Sequence, residues 1–319
     1  MPSVNRFAFV LAAASVVGCG QTGPIDCPSK LRPSPRSGAA AALVPATGEI
    51  FMIGGTTANG ALTDELWRWS SGACGGWLPL ALTDAPLPRT GAAALFDPSR
   101  HRLIVLGGGS TGGVQALDTD RLQWSQLQPS GGGFTGRPTL AVYDGARDQV
   151  VDVTVGVAQL SFANIPAGEW HFLDVMPPLP DRPPASIALD PTRSAIFELD
   201  SAGLHAFSLL VDSWRDVAVT GDLPAAGATL LWDDTRRRLL AVGDGLWAAS
   251  LDGNGTSATW TLLPTTGAPV ARAGAALVVT GDTLWLWGGR AGGCVYDDLW
   301  QVDLNTEVWT NPQPATSCP

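Results

Sequence analysis

A tryptophan recurs about every 46 residues along this 319-residue chain. The six positions are Trp77, Trp124, Trp170, Trp214, Trp260 and Trp309. A fixed period of this length indicates an array of similar units, and units of about 40 to 50 residues with four strands are typical of propeller blades. The repeat therefore predicts an all-β, six-bladed β-propeller with four-stranded antiparallel blades.

Two further series share this period. An arginine opens each unit except the fifth, where Ala226 and Gly227 stand instead, and a run of small residues follows this position in units 1, 2 and 6. These mouth arginines are Arg36, Arg89, Arg137, Arg182 and Arg272. An Asp-x-x-Arg turn, with aspartate favouring a type I turn, begins at Asp97, Asp144, Asp190 and Asp233. We expect the small-residue strand to lie innermost and the tryptophan strand outermost in each blade.

Several of these residues resemble the kelch family, which includes the central domain of galactose oxidase. The match lies in the glycine pairs Gly54-Gly55, Gly107-Gly108 and Gly288-Gly289, in the Asp-acid-Leu-Trp segments 64–67 and 297–300, and in the periodic tryptophan. It covers residues 36–312, although the third to fifth units lack a regular glycine pair. The resemblance implies a kelch-type propeller, and it is specific for fold rather than for activity.

The N-terminus has the pattern of an export signal. Arg6 precedes the apolar run Phe7–Val17, which is too short to span a bilayer, and Val16–Cys19 resembles a bacterial lipobox. We expect residues 1–18 to be a signal peptide, Cys19 to be lipidated, and the protein to lie on the bacterial cell envelope. Because Gly20 follows Cys19, the outer membrane is expected rather than the inner. The alternative is an ordinary secretory signal.

The remaining boundaries follow from the repeat. Residues 19–35 form a lipid-anchored spacer and residues 36–319 the propeller. The blades are expected at approximately 36–80, 88–128, 136–174, 181–218, 226–263 and 271–312. Because the first and last units each hold a complete set of strands, no strand exchange is expected to close the ring.

Four cysteines are left after Cys19, and they are expected to pair in an oxidising compartment. A turn near Asn305-Thr306 sets a strand register that brings Cys294 opposite Ser317, next to Cys318. This predicts a Cys294–Cys318 disulfide and, by elimination, Cys27–Cys74. The rival pattern is a Cys27–Cys318 clasp across the ends of the chain.

The charge composition argues against one class of binding partner, nucleic acid. The net charge is −10 and Lys30 is the only lysine, so an acidic surface would repel nucleic acid. Membrane contact is expected only through the lipid anchor, and the protein is expected to be a monomer.

The mouth arginines are the candidate ligand-binding residues. They should lie at one mouth of the channel, where guanidinium groups could bind a carboxylate or an acidic sugar. The alternative is that each arginine is structural and pairs with an acid of its own blade, such as Glu65 or Asp298.

No catalytic, metal or cofactor site is expected. The G-x-S-x-G match at 108–112 joins two strands and has no histidine to serve it, and the Asp-box-like segment 250–256 is read as a hairpin turn. His101, His171 and His205 fall in different blades. Tyr143 and Tyr296 are the only tyrosines, which excludes a copper-radical oxidase site of the galactose-oxidase kind.

These features predict a non-catalytic propeller that binds an unknown protein or glycan on the cell envelope. The alternative is a sugar-acting enzyme that resembles the bacterial kelch-type sialate mutarotases and uses an arginine-lined channel mouth. That enzyme would need an acid and an arginine that converge in the mouth.

Overall fold

The computed structural model describes residues 31–71, 75–109, 113–131, 139–154, 156–163, 166–175, 186–225 and 227–316. Within these ranges all regular secondary structure is β-strand. None of the described segments forms a helix of the length and hydrophobicity needed to cross a bilayer.

The strands group into six blades. Blade 1 contains β1 (Arg36–Ser37), β2 (Ala40–Val44), β3 (Glu49–Ile53), β4 (Thr56–Thr57), β5 (Leu66–Ser70) and β6 (Gly76–Leu80). Blade 2 contains β7 (Ala93–Asp97), β8 (Arg102–Leu106), β9 (Val114–Asp118) and β10 (Gln123–Leu127). Blade 3 contains β11 (Ala141–Asp144), β12 (Gln149–Asp152), β13 (Val157–Ser161) and β14 (Glu169–Leu173). 

Blades 4 to 6 continue the series. Blade 4 contains β15 (Ser186–Asp190), β16 (Ala195–Leu199), β17 (Leu204–Ser208) and β18 (Ser213–Asp216). Blade 5 contains β19 (Ala218–Thr220), β20 (Thr229–Asp233), β21 (Arg238–Val242), β22 (Leu246–Leu251) and β23 (Ser257–Leu262). Blade 6 contains β24 (Ala276–Thr280), β25 (Thr283–Trp287), β26 (Arg290–Ala291), β27 (Cys294–Val295), β28 (Leu299–Asp303) and β29 (Val308–Gln313).

Each blade is an antiparallel sheet of four consecutive main strands, as the sequence predicts. The innermost strands contact one another around a closed ring, from β2 through β7, β11, β15 and β20 to β24 and back to β2. Blade 1 keeps β2-β3-β5-β6 and blade 6 keeps β24-β25-β28-β29, so the ring closes without strand exchange, as expected. β1 pairs only with β4, and β26 only with β27.

The two ends of the blades form two faces. The hairpin face carries the turns between first and second and between third and fourth strands. The mouth face carries the second-to-third loops and the connections between blades, and it includes Arg36, Arg89 and Arg272. All six periodic tryptophans lie in the fourth, outermost strands, as predicted. 

The core consists of six apolar clusters, each shared by two neighbouring blades. Between blades 6 and 1, for example, Met52 and Trp77 pack with Val278 and Trp287, all of them buried. Closure of the ring therefore rests on the same interblade packing as every other junction, and backbone bonds cross it as they do between blades 1 and 2. Arg36 N–H donates to Tyr296 C=O at 3.2 Å, and Gly38 N–H donates to Gly274 C=O at 2.7 Å.

The Asp-x-x-Arg turns of the hairpin face tie neighbouring blades together. In blade 2 the buried Asp97 carboxylate accepts the backbone N–H groups of Ser99 and Arg100, the turn geometry that the sequence predicts. The Arg100 guanidinium then crosses to blade 3, where Nη1 and Nη2 bond the two oxygens of Asp148 at 2.7 and 2.6 Å. Arg236 also crosses from blade 5 to blade 6, where its Nη2 donates to Asp282 Oδ1 at 2.7 Å and to the Asn305 amide oxygen at 2.6 Å.

The connection that leaves one blade covers the outer edge of the next, a feature that the repeat did not predict. Strand β19 pairs in parallel with β23, and single parallel bridges join Ser130 to Glu169 and Thr266 to Val308. Leu31 makes an antiparallel bridge to Trp77 at the edge of blade 1. These segments occupy edge groups that would otherwise be free to pair with another chain.

Candidate functional site

Arg36 is held inside blade 1 by every nitrogen of its guanidinium. Its Nε donates to Ser34 C=O at 3.0 Å, its Nη1 to Gly54 C=O at 3.3 Å, and its Nη2 to the Glu65 carboxylate and the Ser34 hydroxyl. The side chain is fully buried. Trp67 also donates its indole N–H to Glu65, at 2.9 Å. The expectation that Arg36 pairs with Glu65 is confirmed.

Arg272 repeats this arrangement in blade 6. Nε donates to Val270 C=O at 3.0 Å, and Nη1 donates to Gly288 C=O at 3.2 Å and to Asp298 Oδ1 at 2.6 Å. The guanidinium also stacks over the Tyr296 ring, 3.9 Å from its centre. Trp300 donates to the other oxygen of Asp298 at 2.7 Å. The predicted pairing of Arg272 with Asp298 is therefore confirmed as well.

Arg89 of blade 2 keeps the backbone bonds but has no carboxylate partner among the described residues. Nε donates to Leu87 C=O and Nη1 to Gly107 C=O, both at 3.0 Å, while Nη2 reaches only the Gln115 amide oxygen at 3.3 Å. Arg89 is 2% exposed. Burial lowers the pKa of this guanidinium from its ordinary value. Blade 2 thus holds a buried cation with no counter-charge in the part of the chain that the structure describes.

The cause is one residue in the sequence. Glu65 and Asp298 each stand immediately before the third strand of their blade, and the tryptophan that binds them stands two positions later. In blade 2 these positions hold Gly113 and Gln115. Units 3 and 4 hold Gly156 and Gly203 at the position of the acid, so the sequence marks Arg89, Arg137 and Arg182 alike as mouth arginines without it. Arg137 and Arg182 lie outside the described residues.

Blade 5 shows the opposite substitution. Its acid is present, because Asp244 accepts the Trp247 indole N–H at 3.1 Å, but Ala226 and Gly227 stand where the mouth arginine would be. Its second-to-third loop is also short. A cleft with a volume of about 60 Å³ opens on the mouth face beside this loop, lined by Asp244 from blade 5 and by Val270 and Arg272 from the connection to blade 6.

The other candidate residues lie where the sequence placed them. His101 is in a turn, His171 in the fourth strand of blade 3, and His205 in the third strand of blade 4. Within the described ranges, no cluster of three or more histidine, cysteine or acidic side chains could hold a metal ion. Segment 250–256 includes the turn between β22 and β23, in which Asp252 accepts the Thr256 N–H at 2.6 Å.

The cysteine predictions fall largely outside the described residues. Cys294 is disulfide-bonded, but Cys27, Cys74 and Cys318 are not described, so both predicted pairings stay predictions. The lipidation site Cys19 also lies outside the described ranges, as does Ser110 of the G-x-S-x-G match.

Blade number, strand order and ring closure define the class of this protein as a six-bladed β-propeller. No protein-family model matches the chain, and no curated protein matches its sequence. Among solved structures it is similar to that of YjhT, with a TM-score of 0.62 and 12% sequence identity over 88% of this chain and 99% of that chain. At this identity the likeness concerns the fold alone.

Proposed function

We propose that this chain is a non-catalytic, kelch-type binding propeller displayed on the bacterial cell envelope, and that its ligand presents a carboxylate to Arg89. The observation that carries the proposal is the guanidinium of Arg89, which is almost fully buried without the acid that blades 1 and 6 supply. A buried charge is costly unless it is paired and hydrogen-bonded. A ligand carboxylate would pair with Arg89 as the Glu65 carboxylate pairs with Arg36.

The surroundings of Arg89 suit a bound molecule. Leu87 and Leu62 are 54% and 46% exposed. Leu87 lies two residues before Arg89, and Leu62 adjoins Thr63, whose C=O accepts the Arg89 backbone N–H at 3.1 Å. Apolar groups around a few fixed polar groups are the usual composition of ligand sites. The lipobox-like Val16–Cys19 segment supports display on the envelope.

The sugar-acting alternative requires an acid free to work beside an arginine in the mouth. Glu65 and Asp298 do converge with Arg36 and Arg272, but as ion pairs whose carboxylates also accept a tryptophan N–H. Such acids are engaged in holding the blade together. This geometry supports binding rather than catalysis.

The test compares acidic ligands with their neutral esters. The mature domain is applied to a glycan and peptide array, and each hit is repeated with the ligand carboxylate methylated. Two variants at Gly113 then provide a matched pair, because a side chain there would meet no atom closer than 3.6 Å. Gly113→Asp supplies the acid found in blades 1 and 6, while Gly113→Asn has the same shape without the charge.

We expect esterification or Gly113→Asp to weaken binding about tenfold or more, since a charge-assisted hydrogen bond contributes about 1.5 to 3 kcal/mol. Gly113→Asn should bind like the wild type. Equal binding by Gly113→Asp, or an array with no acidic hit, would refute the carboxylate site. Turnover of a sugar hit would refute the non-catalytic assignment.

A further inference from the structure

At two junctions, the loop of the preceding blade pairs with the backbone of a mouth arginine. Between blades 1 and 2, Arg89 N–H donates to Thr63 C=O at 3.1 Å, and Arg89 C=O accepts from Gly55 N–H at 2.7 Å. Between blades 6 and 1, Arg36 makes the same two bonds, with Tyr296 at 3.2 Å and Gly289 at 3.0 Å. At each junction the loop of the preceding blade thus supplies one C=O that accepts the arginine N–H and one N–H that donates to the arginine C=O.

The junction between blades 5 and 6 lacks this covering chain. The loops at the other two junctions span residues 54–65 and 288–298, whereas blade 5 has only residues 243–245 between its second and third strands. Gly243 N–H donates to Gly245 C=O at 3.0 Å, so the loop closes on itself. As a result, the backbone N–H and C=O of Arg272 have no hydrogen-bond partner among the described residues.

The cleft left by the short loop has an apolar floor and a polar rim. Leu246, Leu286 and Trp309 line it as buried side chains, and Val270, at its edge, is 59% exposed. Asp244 also lines the cleft, and it lacks the arginine that Glu65 and Asp298 bind in their own blades.

We propose that the cleft between blades 5 and 6 binds an extended peptide segment of a partner protein, which pairs through its backbone with the N–H and C=O of Arg272. At the junctions between blades 1 and 2 and between blades 6 and 1, an extended segment of the protein's own loop occupies the equivalent position. Pairing of an added strand with free backbone groups gives affinity, and pockets for its side chains give specificity. This site is separate from Arg89 and goes beyond the proposed function.

The lining specifies the segment. An aliphatic side chain suits the floor of Leu246, Leu286 and Trp309. A neighbouring lysine or arginine suits Asp244, which is exposed and already bonded to Trp247 on one oxygen. The Arg272 guanidinium is neutralised by Asp298, so the remaining charge at the cleft is negative. The expected ligand is therefore an extended segment with a basic residue beside an aliphatic one.

The probe is a fluorescein-labelled peptide, Gly-Ser-Lys-Val-Lys-Ser-Gly, titrated with the mature domain and followed by fluorescence anisotropy. A second peptide carries N-methyl groups on its three central residues, which removes their N–H donors. Ala268→Phe fills the cleft from its exposed rim, and Ala61→Phe makes the same change on an exposed loop of blade 1. Asp244→Asn removes the charge of the cleft, with Asp222→Asn as its exposed control.

We expect Ala268→Phe to weaken binding about tenfold or more because it occupies the cleft, and N-methylation to do the same because it removes a backbone donor. Asp244→Asn should weaken binding about threefold to tenfold because it removes one member of a partly solvated charge pair. Ala61→Phe and Asp222→Asn should bind like the wild type. Absence of binding at about 1 mM peptide, or equal binding by the cleft-filled variant or the N-methylated peptide, would overturn the proposal. Carboxylate binding at Arg89 should survive Ala268→Phe, which keeps the two proposals distinguishable.

Discussion

Glu65 and Arg36 form an ion pair on the mouth face in which the arginine is fully buried and the carboxylate is half exposed. Burial raises the pKa of Glu65, but the hydrogen bonds from Arg36 and Trp67 outweigh it, so the pKa lies below its ordinary value. The pair joins the start of the first strand of blade 1 to the start of the third. It therefore holds the mouth of this blade in shape.

Replacing Glu65 with glutamine should destabilise the protein. Glu65→Gln keeps the shape of the side chain but leaves the buried Arg36 without its counter-charge. Because the carboxylate is half exposed, we expect a loss of about 1 to 2 kcal/mol in the free energy of unfolding, less than for a fully buried pair. Urea unfolding at pH 7 measures it. Loss of less than about 0.5 kcal/mol would contradict the structural role.

The same pair predicts the direction of a pH effect. Since the folded pKa of Glu65 is depressed, its contribution is fully present above the unfolded pKa near 4.5 and is lost as pH falls through the folded value. The stability difference between wild type and Glu65→Gln should therefore shrink on acidification below pH 4.5. A difference that stays constant down to pH 3 would argue against the depressed pKa.

Supplying the missing acid of blade 2 should have the opposite effect on stability. Gly113→Asp places a carboxylate where Glu65 and Asp298 stand in their blades, and Arg89 is the buried cation that it would meet. We expect Gly113→Asp to be about 1 kcal/mol more stable than Gly113→Asn at low salt. Thermal unfolding of the two variants provides the comparison, and equal melting temperatures would show that the acid does not reach Arg89.

The fold was predictable because several independent series share one period. Small residues mark the inner strands, Asp-x-x-Arg marks the hairpin face, and tryptophan marks the outer strands, so the blade number and strand order follow from spacing alone. The confirmed pairing of Arg36 with Glu65 was also accessible, since both residues occupy fixed positions in the repeat.

The segments that connect one blade to the next and cover its outer edge were harder to predict. A Ser or Thr followed by Gly recurs six residues after three of the tryptophans, as at Ser130-Gly131 and Thr266-Gly267, and each glycine adopts a positive φ. A Cβ at Gly131 would lie 2.3 Å from the Trp170 carbonyl oxygen, which explains the glycine. This signal shares the period but spans two blades, so a search within single units misses it.

Tyr143 should resist ionisation on the hairpin face. Its hydroxyl oxygen lies 2.8 Å from Asp148 Oδ1 and 3.1 Å from Asp97 Oδ1, so the two carboxylates share its one proton. Burial, together with these carboxylates, raises its pKa well above the ordinary value of tyrosine. In the folded protein, absorbance at 295 nm should show a tyrosinate component at unusually high pH that Tyr143→Phe lacks. A wild-type titration identical in shape to that of the variant would contradict the assignment.

The raised pKa of Tyr143 also predicts how the stability of the fold changes with pH. The unfolded chain loses this proton near pH 10, before the folded protein does, so stability should fall as pH rises from 10 towards the folded pKa. Tyr143→Phe should flatten this decline. Unfolding in urea between pH 9 and 11 measures it.

Lipid attachment at Cys19 can be tested without any structural assumption. Cys19→Ser should abolish incorporation of a palmitate analogue and release the protein in a soluble or unprocessed form, because the serine cannot carry the thioether. Cys27→Ser, eight residues further along the chain, is the matched control and should keep the label. Unchanged labelling of Cys19→Ser would exclude the lipobox.

The disulfide prediction depends on how the chain end runs beside blade 6. The expected register is confirmed at the turn, where Asp303 pairs with Val308, but a bulge between Leu299 and Gln301 shifts it by one residue. Continued from there, position 294 would face 318 rather than 317. Cys294 itself lies in β27, which pairs with β26 instead of β29.

The tail nevertheless stays beside this part of the blade, because Thr316 donates its backbone N–H to Asp297 at 2.8 Å and its hydroxyl to the same carboxylate. Asp297 is 1% exposed. Thr316 is thus bonded to Asp297, which follows Cys294 by three positions, and Thr316 itself precedes Cys318 by two. We therefore keep the prediction of a Cys294–Cys318 disulfide, with Cys27–Cys74 by elimination. Non-reducing peptide mapping should release a fragment that joins residues 294 and 318, and a fragment that joins residues 27 and 318 would establish the clasp instead.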